Sequence, residues 1–559
     1  MGYFAFFLLL TLTSLLWSAA CTAAAARSDR SRTRGWWLFL ALALPVLALL
    51  PFLAATAYLA FGIFLRPNWF GPVLTVVLSS LIGGIWITRA GMASVPPSNA
   101  AFAERWPVIG LFGLAILAKG VSFGTLLILD NAVAAEARGM RVEAAAMMQA
   151  AVPPAVADAD NAAKLYEQAA AVMADDPAFR VSDSPPLVMD PDVSTDTVTD
   201  LLTRHAATLD TIRRAADREN CLFAHDWTRP SVDMLLPEMQ PLRLAGRFLA
   251  LAARRAAAEG RIEEALVDTV RIQKIGRHAA TEPIIISQLV GMALDAVALD
   301  TLADILPALG PEDLGRLDAP AIRDLVGPPP SIFRGFIGEE ALGLSTFADF
   351  ADARSNLDGL WQLTANPDLA PGTLMRWVSA PVSLLFRVFL LPFDIASHRR
   401  MLHDYRQLAA LNFDRPQRHA EQQKKIAAIE AALQKDHLPG LVSGVLKPAM
   451  AQVFQSQTRA VARHRAAAAL VAATKRRLET GTLPESLDAL VPGELPTLPL
   501  DPFATDAPLR LKVTPEEFLV WSVGPDGEDD GGPQPPDAEH DAGNDDIGLQ
   551  MRAATAAAR

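Results

Sequence analysis

Cysteine is almost missing from this chain. The only two, Cys21 and Cys221, fall in an apolar stretch and in a later polar region. No disulfide framework is expected from such a pair, and without a CxxC motif a cysteine zinc or redox site is excluded. Lysine is scarce as well, nine of the 50 basic residues, the rest being arginine. Positive charge as a whole is outnumbered: 62 Asp and Glu leave a net charge of −12, which argues against a general nucleic-acid binder. Short catalytic signatures are absent too. There is no G-x-S-x-G elbow, no phosphate loop and no kinase set. His398 and His403, in SHRRMLHD, stand five apart rather than the four that stack two ligands on one helical face, and the Glu of a zincin is missing.

What the chain has in excess is apolar residues, 51% against 20% charged, unevenly spread. Four stretches have the length of about 20 apolar residues that a bilayer crossing needs: Tyr3–Ala25, Trp36–Leu65, Trp69–Thr88 and Trp106–Leu129. Tryptophan stands at the start of three of them, where amphipathic rings favour the headgroup region. The first loop, RSDRSRTRG, carries Arg27, Arg30, Arg32 and Arg34, so the positive-inside rule makes it cytoplasmic and everything after Asp130 extracytoplasmic. The sequence therefore predicts a multi-pass protein of a bacterial inner membrane. SAAC before Thr22 is a poor lipoprotein box, so the first stretch is read as retained. Lys119, inside the fourth, has no acidic partner in the other three and is read as facing a neighbouring helix or snorkelling.

Residues 131–326 carry helical signals. In PLRLAGRFLALAARRAAAEGRIEEALVDTVRIQKIGRHAA, the residues Leu244, Phe248, Leu251, Ile262, Leu266 and Val270 recur at three- and four-residue spacing, and Gly260 interrupts them. That pattern predicts two helices joined at a tight turn. AAAEGRIEEAL and NAAKLYEQAAAVMADDP weakly resemble tetratricopeptide helical hairpins, without a 34-residue recurrence. Ser287–Leu306, apolar at most positions, predicts a central core helix. GPPP at 327–330 marks a boundary. A helical continuation follows over 327–450, with a segment at 378–393 that is short for a crossing and suits a buried or membrane-surface helix.

Three further groupings carry residue types that can do chemistry. DPDVSTDTVTD lacks the Gly and Glu of an EF-hand loop, so helix capping explains it better. Glu339 and Glu340 are adjacent, about 100° apart on a helix, and do not converge. Cys221 and His225, four apart, would meet on a helix as a nucleophile and its base; a packed cysteine is the simpler reading.

The C-terminal residues 451–550 form the most specific signal, with 551–559 a tail. A long helix, Ala451–Leu478, ends at Gly481, and two strands, Leu509–Val513 and Phe518–Val523, flank TPEE, which suits a hairpin. ETGTLPESLDALVP, then PLDPF, then FLVWSVGPDGEDDGG and finally NDDIG resemble the globular part of the major pseudopilin of type II secretion. The pilin leader is absent, so the module is read as fused to another architecture. The resemblance implies a calcium ion held beneath a small sheet by Asp526 and Asp546, with Asp545 secondary and the carbonyls of Ser522 and Val523 completing an oxygen shell. From Asp526 to Asp546 there are nine acidic residues and no basic one. The overall layout also resembles large envelope proteins of planctomycete-type bacteria, which implies no activity.

The expected fold class is thus mainly α: four transmembrane helices over 1–130, an extracytoplasmic helical-hairpin domain and a small α+β pseudopilin-like module. The expected role is a non-catalytic, membrane-anchored envelope scaffold with a protein partner and calcium at its C-terminal end. The alternative is an envelope hydrolase whose site is assembled from residues distant in sequence.

Overall fold

The structure, a computed structural model, describes residues 16–25, 33, 36–37, 40–41, 131–179, 194–230, 234, 236–351, 391–410, 416–435, 441–504, 506–514, 517–533 and 545–552. It is mainly helical with one three-stranded sheet. The expectation of a multi-pass membrane protein is corrected: among the described residues no helix is long and apolar enough to cross a membrane. Of the four stretches, 69–88 and 106–129 lie wholly outside the described residues, as does nearly all of 36–65 and of 378–393. The described helices fail the test for a physical reason. In Met239–Ala258, for example, Arg243, Arg247, Arg254 and Arg255 interrupt the apolar residues, as suits a helix packed in a protein core.

The chain divides into two compact units. One comprises Met1–Arg141, Thr346–Ser397 and Asp436–Gly440; the other comprises Val142–Ser345, His398–Lys435 and Leu441–Arg559. In the first, the Ser18 hydroxyl donates to the Ala41 carbonyl at 2.8 Å, and Arg141 pairs with Asp349 at 2.9 Å. The second holds every site discussed below.

In that second unit α1 (Ala162–Asp175) is capped by Asn161, whose side chain accepts from the Ala163 N–H. α2 (Thr195–Arg204) starts at Ser194, whose hydroxyl accepts from Thr197, so the Ser-Thr-Asp run reads as a helix start. α3 (Ala206–Ala216) follows directly. The expected hairpin is present as α4 (Met239–Ala258) and α5 (Ile262–Ala279), turned by Gly260 at φ +77°, a conformation that costs glycine little. α6 (Ile285–Ile305) is the expected core helix, buried on most sides. Its approach to α5 is close. A Cβ on Gly276 would lie 2.8 Å from the Gly291 carbonyl oxygen, and one on Gly291 equally near that of Gly276, so backbone meets backbone where the two cross.

α7 (Phe333–Ala351), α8 (Leu391–Ala409) and α9 (Pro416–Lys435) lead to α10 (Leu441–Thr480), 40 residues and about 60 Å long. Phe336, Tyr405 and Phe454, from α7, α8 and α10, stack at centroid distances of 5.0–6.2 Å in a small core of their own. The sheet runs β1 (Arg510–Val513), β2 (Glu517–Ser522), β3 (Ile547–Arg552), all antiparallel, with β2 central. β1 and β2 form the hairpin expected across TPEE. β3 is a third strand that the sequence reading did not assign; its residues Ile547, Leu549 and Met551 alternate inward.

The largest apolar core is continuous from α1 through α4, α5 and α6 into α10, β2 and β3. The C-terminal module is therefore built onto the helical hairpins. A polar spine joins them as well: His464 of α10 pairs with Asp295 of α6, whose other oxygen accepts from Gln273 of α5 at 3.0 Å. All three are under 7% exposed, so their polar atoms had to find each other rather than water.

Candidate functional site

Two places gather polar side chains. The first lies where the 221–230 segment, the start of α4 and the link between α5 and α6 meet. His225 Nε2 stands 3.1 Å from Glu238 Oε1 and 3.0 Å from Glu282 Oε1. The three ligand atoms lie within 4.8 Å of one another, the only such group of three or more His, Cys, Asp or Glu among the described residues. Each is positioned by the local fold. Asn161 accepts the Leu222 N–H at 2.9 Å and donates to the Leu222 carbonyl at 2.8 Å, pinning the segment that carries His225. Glu238 stands just before α4. Glu282 is set by the turn into α6: Gln288 donates to its carbonyl at 3.0 Å, and Ser287 donates to its Oε2 at 3.3 Å, leaving Oε1 facing the histidine.

The electrostatics follow from burial beside like charges. Glu282 is 2% exposed, and its desolvation pushes the carboxyl pKa up. Hydrogen bonding to Glu238 and then Glu282 pushes His225 up to about 10. Cys221 is buried beside the two carboxylates, and burial first, then their charge, pushes its thiol up. It lies outside any helix, and His225 serves the glutamates instead. The Cys–His nucleophile pairing is therefore not formed; a thiol held protonated packs as a small apolar group. Trp227 packs edge-on to His225 at 5.3 Å between centroids.

Next to this cluster, the Tyr166 hydroxyl meets His278 Nδ1 at 2.9 Å, and His278 Nε2 meets the Arg218 carbonyl at 3.1 Å. A carbonyl only accepts, so Nε2 carries the proton and Nδ1 accepts from the tyrosine. Burial lowers the His278 pKa to about 4. The neutral form is the one that fits. His398, likewise buried, is lowered to about 4 by burial and then by Arg399. Unfolded chains protonate such histidines near 6.5, so the folded state binds fewer protons between the two values. The contribution of these two histidines is then complete above about pH 6.5 and falls towards pH 4, by about 3 kcal/mol for His278 alone. Urea denaturation at pH 7.0, 5.5 and 4.5 reads this directly, and His278→Gln flattens part of the slope. A slope unchanged by that substitution contradicts the assignment.

The second place is the C-terminal end, where the five residues expected to hold calcium are distributed among other tasks. The Asp526 carboxylate is exposed and accepts the Glu528 N–H at 3.1 Å, closing its own turn. Asp545 pairs with Arg459 of α10 at 3.3 Å. Asp546 accepts the Gly532 N–H at 2.8 Å and the backbone of Asp530, so its carboxylate sits on the turn of EDDGG. Burial, then Asp529 and Asp530, push its carboxyl up. The Ser522 hydroxyl donates to Asp501 at 2.6 Å and the Val523 N–H donates to it at 3.0 Å. Gly524 takes φ +69° where its backbone passes under Asp545; a Cβ there would lie 2.0 Å from the Asp545 carbonyl oxygen. The structure thus brings Asp545 against the SVG turn and Asp546 onto the EDDGG turn, but leaves Asp526 exposed.

The sequence reading missed Glu238, Glu282 and Asp501. Glu238 and Glu282 stand 13 and 57 residues after His225, in no recognisable spacing. Asp501 was visible only as a member of PLDPF. Glu339 and Glu340 diverge as expected: Glu339 accepts the Ile285 N–H at 3.2 Å and Glu340 pairs with Arg406 at 2.8 Å.

Comparison with protein-family models, with curated proteins and with solved structures finds no match to this chain.

Proposed function

We propose that the chain is a non-catalytic binding scaffold, a body of helical hairpins closed by its C-terminal α+β module, that engages a protein partner. The observation that carries this reading is the unbroken apolar core from α1 to β3. Such a core makes the stacked hairpins one stiff body with a broad helical surface, the kind of surface helical-hairpin proteins use for protein contact. Val172, Val267 and Ile286 are large apolar side chains left 43–54% exposed on α1, α5 and α6, and they serve as probes. A photo-crosslinker at each position in living cells is expected to capture one common protein. The purified chain should then bind that protein, at least tenfold more weakly with Val267→Asp or Ile286→Asp. If the captured protein binds both variants as tightly as the parent, the scaffold reading fails.

Calcium at the C-terminal end belongs to the same proposal. It is supported by the placing of Asp529 and Asp530 near the buried Asp546, where Arg510, paired with Asp529 at 3.1 Å, offsets part of the negative charge that a hard cation with oxygen ligands would relieve. Because the module shares its core with α4, α5 and α6, the test uses the full chain. Calcium is expected to raise its melting temperature by a few degrees over a chelator, and Asp546→Asn to abolish the difference. An equal melting temperature in calcium and in chelator removes the ion from the account.

One observation favours the second reading, a hydrolase: residues as distant in sequence as His225, Glu238 and Glu282 converge.

A further inference from the structure

We propose that His225, Glu238 and Glu282 form a binding site for one divalent transition-metal ion of the zinc, manganese or cobalt type, separate from any calcium at the C-terminal end. The inference goes beyond the scaffold reading and does not depend on it.

The donor spacing is the first argument. Ligands about 2.1 Å from a metal and at right angles to each other are separated by about 3.0 Å. Nε2 of His225 is 3.1 Å and 3.0 Å from the two carboxylate oxygens, so two edges already match those of an octahedral face, and all three atoms lie within 4.8 Å of one another. The second argument is independent of that spacing. Glu282 is 2% exposed, and its Oε1 faces the same His225 Nε2 at 3.0 Å. The one Nε2 proton is shared between Glu238 at 3.1 Å and Glu282 at 3.0 Å, so neither oxygen is fully met. A buried carboxylate oxygen in that condition is costly, and a cation at the centre of the three atoms meets its need and that of Glu238 together.

The surroundings hold the donors ready. Ser287 fixes the far oxygen of Glu282, and Asn161 fixes the segment bearing His225, so two of the three ligands are aimed by groups that are not themselves ligands. The ligand chemistry selects the ion. One imidazole with two carboxylates suits first-row divalent metals, whereas calcium and magnesium prefer an all-oxygen shell. Three protein ligands also leave coordination positions for water, the feature that separates catalytic from closed structural sites. His225 is the most accessible of the three, with its side chain 10% exposed, and it marks the side from which an ion enters.

The experiment is titration of the chelator-stripped full chain with zinc, manganese and cobalt separately, followed by calorimetry and, for cobalt, by its visible absorption. One ion per chain is expected, with nitrogen-ligated cobalt bands. Glu282→Gln, which keeps the shape of the side chain, and His225→Ala should each weaken binding by about 100-fold or more. Circular dichroism of both variants establishes that they remain folded, and Asp546→Asn should leave the transition-metal affinity unchanged. The proposal is overturned if the folded parent binds none of the three ions. It is equally overturned if Glu282→Gln binds them as the parent does, or if Asp546→Asn removes the binding.

Discussion

Asp268→Ala is expected to destabilise the folded chain by about 3–5 kcal/mol, the cost of removing one partner from a buried ion pair. Asp268 lies on α5 with 0% exposure, and its carboxylate accepts from Arg213 of α3 through both oxygens at 3.1 Å and from Arg271 at 2.9 Å. The two guanidinium groups are in turn shared, Arg213 with Glu264 at 2.7 Å and Arg271 with Asp217 at 2.6 Å. Burial alone would lower both arginine pKa values, yet they are held above the ordinary value by these carboxylates. Deleting the central acid therefore leaves two half-buried cations facing the hole, which is why the loss exceeds that of an exposed pair, about 0–1 kcal/mol. Replacing all three residues by apolar ones of similar volume should recover most of it, since the triad's own net worth is small. Denaturant titration decides the matter, and a loss under about 1 kcal/mol for Asp268→Ala would falsify the account.

The second large effect is expected at Asp501. This residue is 0% exposed, and its carboxylate accepts from the Ser522 hydroxyl, the Val523 N–H and, at 2.9 Å, the Phe503 N–H. Hydrogen bonds to a charged acceptor contribute about 1.5–3 kcal/mol each, and leaving a buried donor unmet costs about 1–3 kcal/mol. Asp501→Ala should thus cost about 3–5 kcal/mol, and Asp501→Asn, which keeps one carbonyl oxygen, roughly half as much. The damage has a place: amide exchange in β2 and β3 should accelerate, while that of α3 changes least. Ser522→Ala removes a single donor and should cost about 1–2 kcal/mol. If Asp501→Ala leaves exchange in β2 unchanged, Asp501 does not anchor the sheet.

These two aspartates show where reading the chain in one dimension stops. Asp268 sits in a stretch, RIEEALVDTVRIQKIG, whose apolar period predicts a helix and places α5 correctly. Nothing in that period separates Asp268 from the solvent-facing Glu263, because only the arrival of Arg213 from 55 residues away makes its burial tolerable. In the sequence Asp501 is one letter of a module signature, and the pseudopilin resemblance makes Ser522 and Val523 suppliers of carbonyl oxygens to calcium. In the fold their hydroxyl and N–H groups turn to Asp501 instead. The aspartates of SVGPDGEDDGG and NDDI divide in the same way, Asp526 closing its own turn and Asp546 closing another turn 14 residues before it.

By itself the sequence determined the helices α1, α4, α5 and α6, the hairpin turn at Gly260, the long helix before the sheet and the β1–β2 hairpin. All of these are written in local period, caps and turn residues, which act between neighbours in the chain. It also showed that no familiar catalytic motif is present. Apolar length alone suggested membrane crossings, and among the described residues the helices instead spend their apolar faces on one another, around the close approach of Gly276 and Gly291. The third strand, the Asp268 ion cluster, the anchoring of the sheet by Asp501 and the meeting of His225 with Glu238 and Glu282 were decided only by the tertiary structure. Each depends on polar groups brought together across 13 to 57 residues of chain by a shared hydrophobic core, and burial, which has no signature in the local sequence, makes them choose each other over water.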